Sequence, residues 1–247
     1  MARRAEMPLR IGFDVDGVLA DFRSSFRATA TRILRSDPHA FDAMSSPTSD
    51  LPLSQDDIRR VWEWIAKAPN WWMEIEPYEP DQIARLYGLA RAARWEVFFL
   101  TKRPPSAGDS VQFQTQWWIE RCGFYLPSVM TVPGSRGEIA NALRLDLLVD
   151  DQLLNCVEVV SASTTKAILL QRGPDAAERD HATSRGIGVV TTLADALGVM
   201  ERLQDVAAQR RGRLMRLTDW FSRTPEMTTL PDNPRAVRPI PPFEGSG

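Results

Sequence analysis

Two aspartates one residue apart close a short apolar stretch near the start of the chain, in Phe13-Asp14-Val15-Asp16-Gly17-Val18-Leu19-Ala20-Asp21. A strand that delivers two carboxylates to its C-terminal end and then turns at a glycine places them where open α/β sheets bind ligands. Like charges this near one another are costly unless a cation lies between them or one holds a proton. Magnesium, which prefers carboxylate and phosphate oxygens, is the cation such a pair suits. A calcium loop does not fit. Val18, Leu19 and Ala20 stand where that loop needs oxygen ligands and polar spacing, and Ser25 takes the place of the Glu that closes it. The plain alternative is a solvated turn at Gly17.

Two further segments share this design. Val97-Phe98-Phe99-Leu100-Thr101-Lys102-Arg103-Pro104 is an apolar strand ending in a hydroxyl and two cations, donors suited to a phosphate oxygen. Leu147-Leu148-Val149-Asp150-Asp151 ends in a second acidic pair, which makes sense if the pair holds a metal. Each alone reads equally well as a solvated strand end. All three in one chain point to a common site. With His39 and His181 as the only histidines, and neither in these segments, histidine-based catalysis is disfavoured.

The elements that must position these residues follow from periodicity. Leu9–Phe13, Glu96–Leu100, Val129–Val132, Asp146–Val149, Ala167–Leu170 and Ile187–Val190 are short apolar runs, alternating with helical patterns. Such alternation predicts an α/β fold, a doubly wound and mainly parallel sheet of Rossmann-like type. The interval between Asp21 and Trp95 lacks a strand and reads as helical. Phe22, Phe26, Ile33 and Leu34 share one face. Ser54 and Asp57 form a capping box ahead of Ile58, Val61, Trp62 and Ile65, and Pro80 opens a helix carrying Ile83, Leu86, Tyr87 and Ala90. The last of these feeds the second strand. The first two predict a small helical cap over residues 22–77, inserted after the first strand into a core of residues 9–21 and 78–222.

The rest of the chain sets bounds. Its 247 residues carry 30 basic and 32 acidic side chains, a net charge of -2, which gives no reason to expect a nucleic-acid polymer or an anionic membrane as partner. No apolar run is long enough to span a bilayer, and Met1–Arg10 lacks the apolar stretch of a secretion signal. Cys122 and Cys156 fit reduced thiols, so the cytoplasm is the default location. Between Leu203 and Phe221, Arg210, Arg211, Arg213 and Arg216 accompany Leu214, Leu217, Trp220 and Phe221. This basic amphipathic helix is expected to pack on its own domain rather than on a membrane. Residues 223–247 hold prolines at 225, 231, 234, 239, 241 and 242 and almost nothing to bury, which predicts a disordered or extended tail.

The three strand ends, in this order, resemble the motifs of the haloacid dehalogenase superfamily, and the likeness covers roughly residues 9–200. That resemblance implies Asp14 as nucleophile, Asp16 as general acid/base and, through its backbone carbonyl, metal ligand, and Thr101 as the second-motif hydroxyl. It implies Asp150 and Asp151 as the acidic pair that holds Mg2+ together with Asp14. The basic residue of the third motif is matched by Arg136, in Pro133-Gly134-Ser135-Arg136-Gly137-Glu138 at the start of an expected helix. Within the superfamily the chain looks most like the 5'(3')-deoxyribonucleotidases. There an aromatic pair at the position of Trp71 and Trp72 lines a nucleoside pocket, and Lys102 falls where substrate is selected. The chain departs from those enzymes at Lys102, where they carry a small residue, and at Gln152, where they tend to be basic. The expected activity is a magnesium-dependent hydrolysis of a small phosphorylated metabolite through an aspartyl phosphate, with nucleoside monophosphates as the substrate class the resemblance suggests. The alternatives are a phosphatase for another metabolite, such as a sugar phosphate, and a non-catalytic binding protein on the same fold. A scaffold would have no reason to gather so many carboxylates. The tryptophan pair has its own plain alternative, packing between cap and core.

Overall fold

The structure, a computed structural model, describes residues 8–34 and 53–202. The helix expected over Leu203–Phe221 and the tail over 223–247 lie outside them, as does part of the expected cap. The described residues form one compact unit. Six strands build it: β1 (Arg10–Asp14), β2 (Glu96–Thr101), β3 (Ser128–Thr131), β4 (Leu147–Asp150), β5 (Lys166–Leu170) and β6 (Gly188–Val190). All pair in parallel, in the order β3-β2-β1-β4-β5-β6. The chain winds outward from β1 in one direction, then restarts at β4 on the other side of β1. The crevice between β1 and β4 is therefore the point where ligands bind in such sheets.

Alternate strand residues serve two cores, as the period of a strand demands. Ile11, Phe13, Val97, Phe99, Leu147 and Val149 face one apolar cluster. It is completed by α3 (Pro80–Ala93), α4 (Val111–Arg121) and a helix over 193–202. Leu100, Leu148, Ala167 and Leu169 face the other, built with α5 (Arg136–Ala142), α6 (Leu153–Ala162) and α7 (Ala176–Ser184). Helices cover both faces, so the fold is doubly wound. Relative to the expected runs, β1, β2 and β4 each extend one residue further. The ladders explain this: Asp14 lies opposite Leu100, Asp150 opposite Leu169 and Thr101 opposite Thr131, so the polar residue still has a neighbour to pair with.

Between β1 and β2 the chain forms α1 (Phe22–Leu34), α2 (Gln55–Lys67) and a short turn of helix at Trp71–Met73. Ser54 caps α2 by accepting a hydrogen bond from the Asp57 N–H at 3.1 Å, as the sequence signals. The inserted segment leaves and rejoins the sheet side by side: the Asp21 N–H donates to Glu76 O at 2.8 Å and the Tyr78 N–H to Leu19 O at 2.9 Å. Its apolar residues are shared with the core. Phe26, Val61, Ile65, Trp71 and Trp72 belong to the same buried cluster as Phe13 and Phe99. Among the described residues no helix is long and apolar enough to cross a membrane.

Candidate active site

Because β1 has β2 on one side and β4 on the other, their C-terminal ends bring Asp14, Thr101 and Asp150 to one edge of the sheet. Asp14 is 6% exposed and Asp150 fully buried. After β1 the chain makes a tight loop, in which Leu19 and Ala20 N–H groups both reach Val15 O at 2.9 Å and the Gly17 N–H reaches Ala20 O at 2.9 Å. Gly17 has φ +88°, and a Cβ there would lie 2.0 Å from Asp151 Oδ2. Only glycine suits both the left-handed backbone and the close approach of that carboxylate. Arg172, just beyond β5, clamps the loop from outside by donating to Gly17 O at 3.1 Å and Val18 O at 2.8 Å. A third bond, to Glu79 Oε1 at 3.1 Å, ties it to the start of α3.

Arg136 opens α5. Ser135 caps this helix by accepting from the Gly137 N–H at 3.2 Å, and Gly137 lets α5 lie against α6, where a Cβ would meet Glu158 O at 2.6 Å. So placed, Arg136 is 2% exposed and donates from Nη2 to Asp14 Oδ1. Its Nε lies 3.5 Å from Asp150 Oδ2, an ion pair without hydrogen-bond geometry. Arg136 Nε and Nη1 are buried with no acceptor. Buried guanidinium donors without acceptors are costly, and they mark a place for an anionic oxygen beside Asp14. Asp150 is held in turn by the Gln152 N–H at 2.9 Å and by Asn155 Nδ2 at 3.0 and 3.1 Å.

A second pair stands beside the first. The side chain of Arg103, fully buried, meets the Asp16 carboxylate with Nε at 3.1 and 2.9 Å and Nη2 at 2.8 Å, and Thr101 Oγ1 lies 3.4 Å from Asp16 Oδ2. Four carboxylates, Asp14, Asp16, Asp150 and Asp151, thus share two contacting arginines, with Arg23 adding a weaker attraction at Asp151. Burial and the surrounding negative charge raise the proton affinity of Asp14 and Asp151. Burial, then the nearby Asp150, pushes the Asp14 carboxyl well above the usual carboxylate range, against the pull of Arg136. Burial, then Asp150 and Asp16, pushes Asp151 up to about 8.

An all-oxygen donor set with unbalanced negative charge suits a hard divalent cation. Asp14, Asp150, Asp151 and the Asp16 carbonyl are the groups that would hold it. Among the described residues, however, no three carboxylates surround a single point. Arg136 lies between Asp14 and Asp150 and Arg103 holds Asp16, so three of the four side chains expected around one metal position are drawn to two separate arginines. A pH dependence follows. An acid whose folded pKa is raised stabilises the fold fully below its unfolded value, and that stability is lost as pH rises through the folded value. For Asp151 the window runs from the ordinary carboxylate value to about 8. In EDTA, the unfolding temperature should therefore fall between about pH 5 and about pH 8.5. With millimolar magnesium the slope should flatten, because a bound cation keeps the carboxylates ionised. Parallel melting curves in the two buffers would show that these groups do not bind the cation.

Of the expected substrate contacts, the structure contradicts the stacking role of Trp72. Lys102 is exposed, and it is Arg103, one residue on, that turns inward. Trp72 is 1% exposed and donates its indole N–H to Pro104 O at 3.0 Å. Phe22 stacks on it at 6.0 Å, Trp71 meets it edge-on at 4.9 Å and Arg103 lies 4.9 Å from its ring. No face of it is open to a base. Trp71, also buried, lines a cavity of about 650 Å³ with Ser25, Arg32, Trp64 and Glu74, a lining that includes none of Asp14, Asp16, Asp150 and Asp151. Trp72→Ala should thus cost about 3–5 kcal/mol of stability and depress turnover of every substrate alike. Thermal unfolding and assays on a nucleotide and a small aryl phosphate would check this; a loss confined to the nucleotide would restore the stacking role. Arg103, Asn155 and Arg172 went unassigned in the sequence. Arg103 had a visible cue in the two cations after Thr101, but Arg172 had none.

No family model and no curated protein sequence matches the chain. Solved structures do. A predicted phosphatase from Clostridium acetobutylicum superposes with a TM-score of 0.55 at 12% identity, covering 79% of this chain and all of the other (100%). A haloacid dehalogenase-like family hydrolase from Streptococcus pneumoniae gives 0.50 at 12% identity over 78% of this chain and 98% of its own. A hydrolase of the same family from Deinococcus radiodurans R1, solved with bound phosphate and sodium, gives 0.50 at 13% identity over 80% and 97%. The chain has the fold of the haloacid dehalogenase-like hydrolases.

Proposed function

We propose that this protein is a magnesium-dependent phosphomonoester hydrolase that works through an aspartyl phosphate on Asp14. The observation that carries the reading is the contact between Asp14 and the buried Arg136, whose Nε and Nη1 lack acceptors. A phosphoryl group beside Asp14 would supply the missing oxygens. The bound phosphate in the Deinococcus structure is consistent with such a site on this fold. Magnesium, when held by the carboxylates, would offset the charge that makes a phosphomonoester resist attack.

This chain's own residues do the rest. Arg136 and the Thr101 hydroxyl orient the phosphoryl oxygens so that the Asp14 carboxylate lies in line with phosphorus. Asp14 attacks as the ester bond breaks, and Asp16 gives its proton to the leaving oxygen. Asp16 then takes a proton from the water that hydrolyses the aspartyl phosphate. The burial of Trp72 removes the stacking platform that pointed to a nucleoside, so the reading is a small phosphorylated metabolite rather than a nucleotide in particular. A panel of phosphorylated sugars, nucleotides and aryl phosphates, assayed for phosphate release with magnesium and with EDTA, tests it. Turnover that requires magnesium is expected. No release from any member would favour a non-catalytic binding protein.

A further inference from the structure

Helix α4 inverts the usual distribution of side chains on a surface helix. Gln114 and Thr115 are fully buried, whereas Phe113 and Trp117 are 50% and 40% exposed. Just beyond the helix, Tyr125 is 59% exposed and Leu126 89%. These four make up most of the large apolar side chains exposed among the described residues, Leu9 and Leu154 being the others. They adjoin one another. Phe113 and Trp117 lie one turn apart on one helix face. The Leu126 N–H donates to Glu120 Oε1 at 3.1 Å and Gln116 Nε2 donates to Pro127 O at 3.4 Å, which holds Leu126 beside the stretch of α4 that presents Trp117. Leu126 also has a left-handed backbone, φ +55°, which a bulky side chain rarely adopts and glycine takes freely. In an isolated chain neither the exposure nor the conformation gains anything.

We propose that a second copy of this chain docks on the face formed by Phe113, Trp117, Tyr125 and Leu126, across a two-fold axis. The inference is independent of the phosphatase reading. Its first support is charge. The charged residues beside the patch are one of each sign, Glu120 and Arg121, with Glu120 engaged by the Leu126 N–H and Arg121 lying 4.9 Å from the Trp117 ring and donating to Met73 O at 2.9 Å. Two such faces meet without net repulsion, while a strongly acidic or basic partner finds nothing to complement. The second support is the edge strand. β3 ends the sheet beside α4, but Gln112 Nε2 donates to Val129 O at 3.2 Å and Gln116 Nε2 reaches Pro127 O, so an added strand would have to displace both glutamines. Side chains, not backbone, are what the face offers. A two-fold axis suits them, since antiparallel α4 helices set Phe113 of each copy against Trp117 of the other. The third is area. Half-exposed aromatics contribute on the order of 100 Å² each, so the four side chains present about 400 Å² per copy. In a homodimer interface roughly 65% apolar, two such faces imply about 1,200 Å² in all, the lower end for a stable complex.

Sedimentation of the full-length protein from about 1 to about 100 µM tests this, with a dimer of micromolar Kd expected. Trp117→Ser, at the centre of the patch, should raise that Kd roughly 30-fold or more. Leu126→Gly should raise it roughly 10-fold, yet leave the unfolding temperature of the dilute monomer equal or higher, because glycine suits the left-handed backbone. That pairing of a weaker dimer with an undamaged monomer separates a docking residue from a structural one. Leu154→Ser, which removes a leucine 69% exposed on α6 and outside the patch, should leave the Kd unchanged. A wild-type protein that stays monomeric up to about 100 µM would overturn the proposal. So would a dimer whose Kd neither Trp117→Ser nor Leu126→Gly moves.

Discussion

Asp14→Asn is expected to abolish turnover, with a loss of at least about 10³–10⁴ in kcat, or roughly 4–5.5 kcal/mol in the barrier. An amide cannot attack phosphorus, and it is a poorer partner for both Arg136 and a cation. The fold should survive. Asp14 is a buried carboxyl whose ionised form is opposed by burial and by Asp150, so a neutral amide of the same shape relieves as much repulsion as it forgoes attraction to Arg136. The decisive measurement is phosphate release alongside a thermal melt. An intact melt with no turnover supports the assignment, whereas wild-type turnover would mean that some other group attacks the substrate.

Arg136→Met should strike stability and activity together. The side chain is 2% exposed and is the cation between Asp14 and Asp150, so its loss leaves two buried carboxylates facing each other. Breaking a buried pair by removing one partner costs about 3–5 kcal/mol, because the remaining charge keeps its desolvation penalty. For a domain of this size that lowers the unfolding temperature by roughly 6–20 °C. Removing a preorganised donor to a phosphoryl oxygen should cost about 10²–10³ in kcat as well. The sign of the pH effect identifies the cause. Asp14 and Asp150 are already raised, and without Arg136 their protonated forms are favoured further. The variant should therefore recover stability on acidification, relative to wild type, and with added magnesium should recover it at neutral pH. A variant that melts like wild type at every pH would show that Arg136 does not compensate these carboxylates.

Much of the fold was legible because it is written locally. Apolar runs of strand length alternating with amphipathic helices are enough to imply a doubly wound sheet, and Ser54 and Pro80 mark helix starts through their own short-range chemistry. Even the motif order carried spatial content: the polar ends of β1, β2 and β4 meet because parallel strands aim their C-terminal ends the same way. Asp14, Thr101 and Asp150 were readable for that reason. The ladder, not the apolar run, decided that these residues end the strands rather than follow them.

The remainder belongs to partners distant in the chain. Arg136 reaches Asp14 across 122 positions, Arg103 reaches Asp16 across 87, and Arg172 reaches Gly17 across 155. No periodicity links such pairs. Local pattern could not tell Lys102 from Arg103, since both are cations after the same strand, and it is Asp16, Thr115 and the indoles of Trp72 and Trp118 that hold Arg103 inside. Nor could it tell whether Trp72 faces a ligand or a core, because its burial is set by Phe22, Trp62 and Trp71 closing around it. Which polar groups end which strands depends on residue type and on neighbours within a few positions, and so is readable along the chain. Tertiary structure alone decided which charges compensate one another, because burial and Coulomb attraction depend on separation in space and not along the chain.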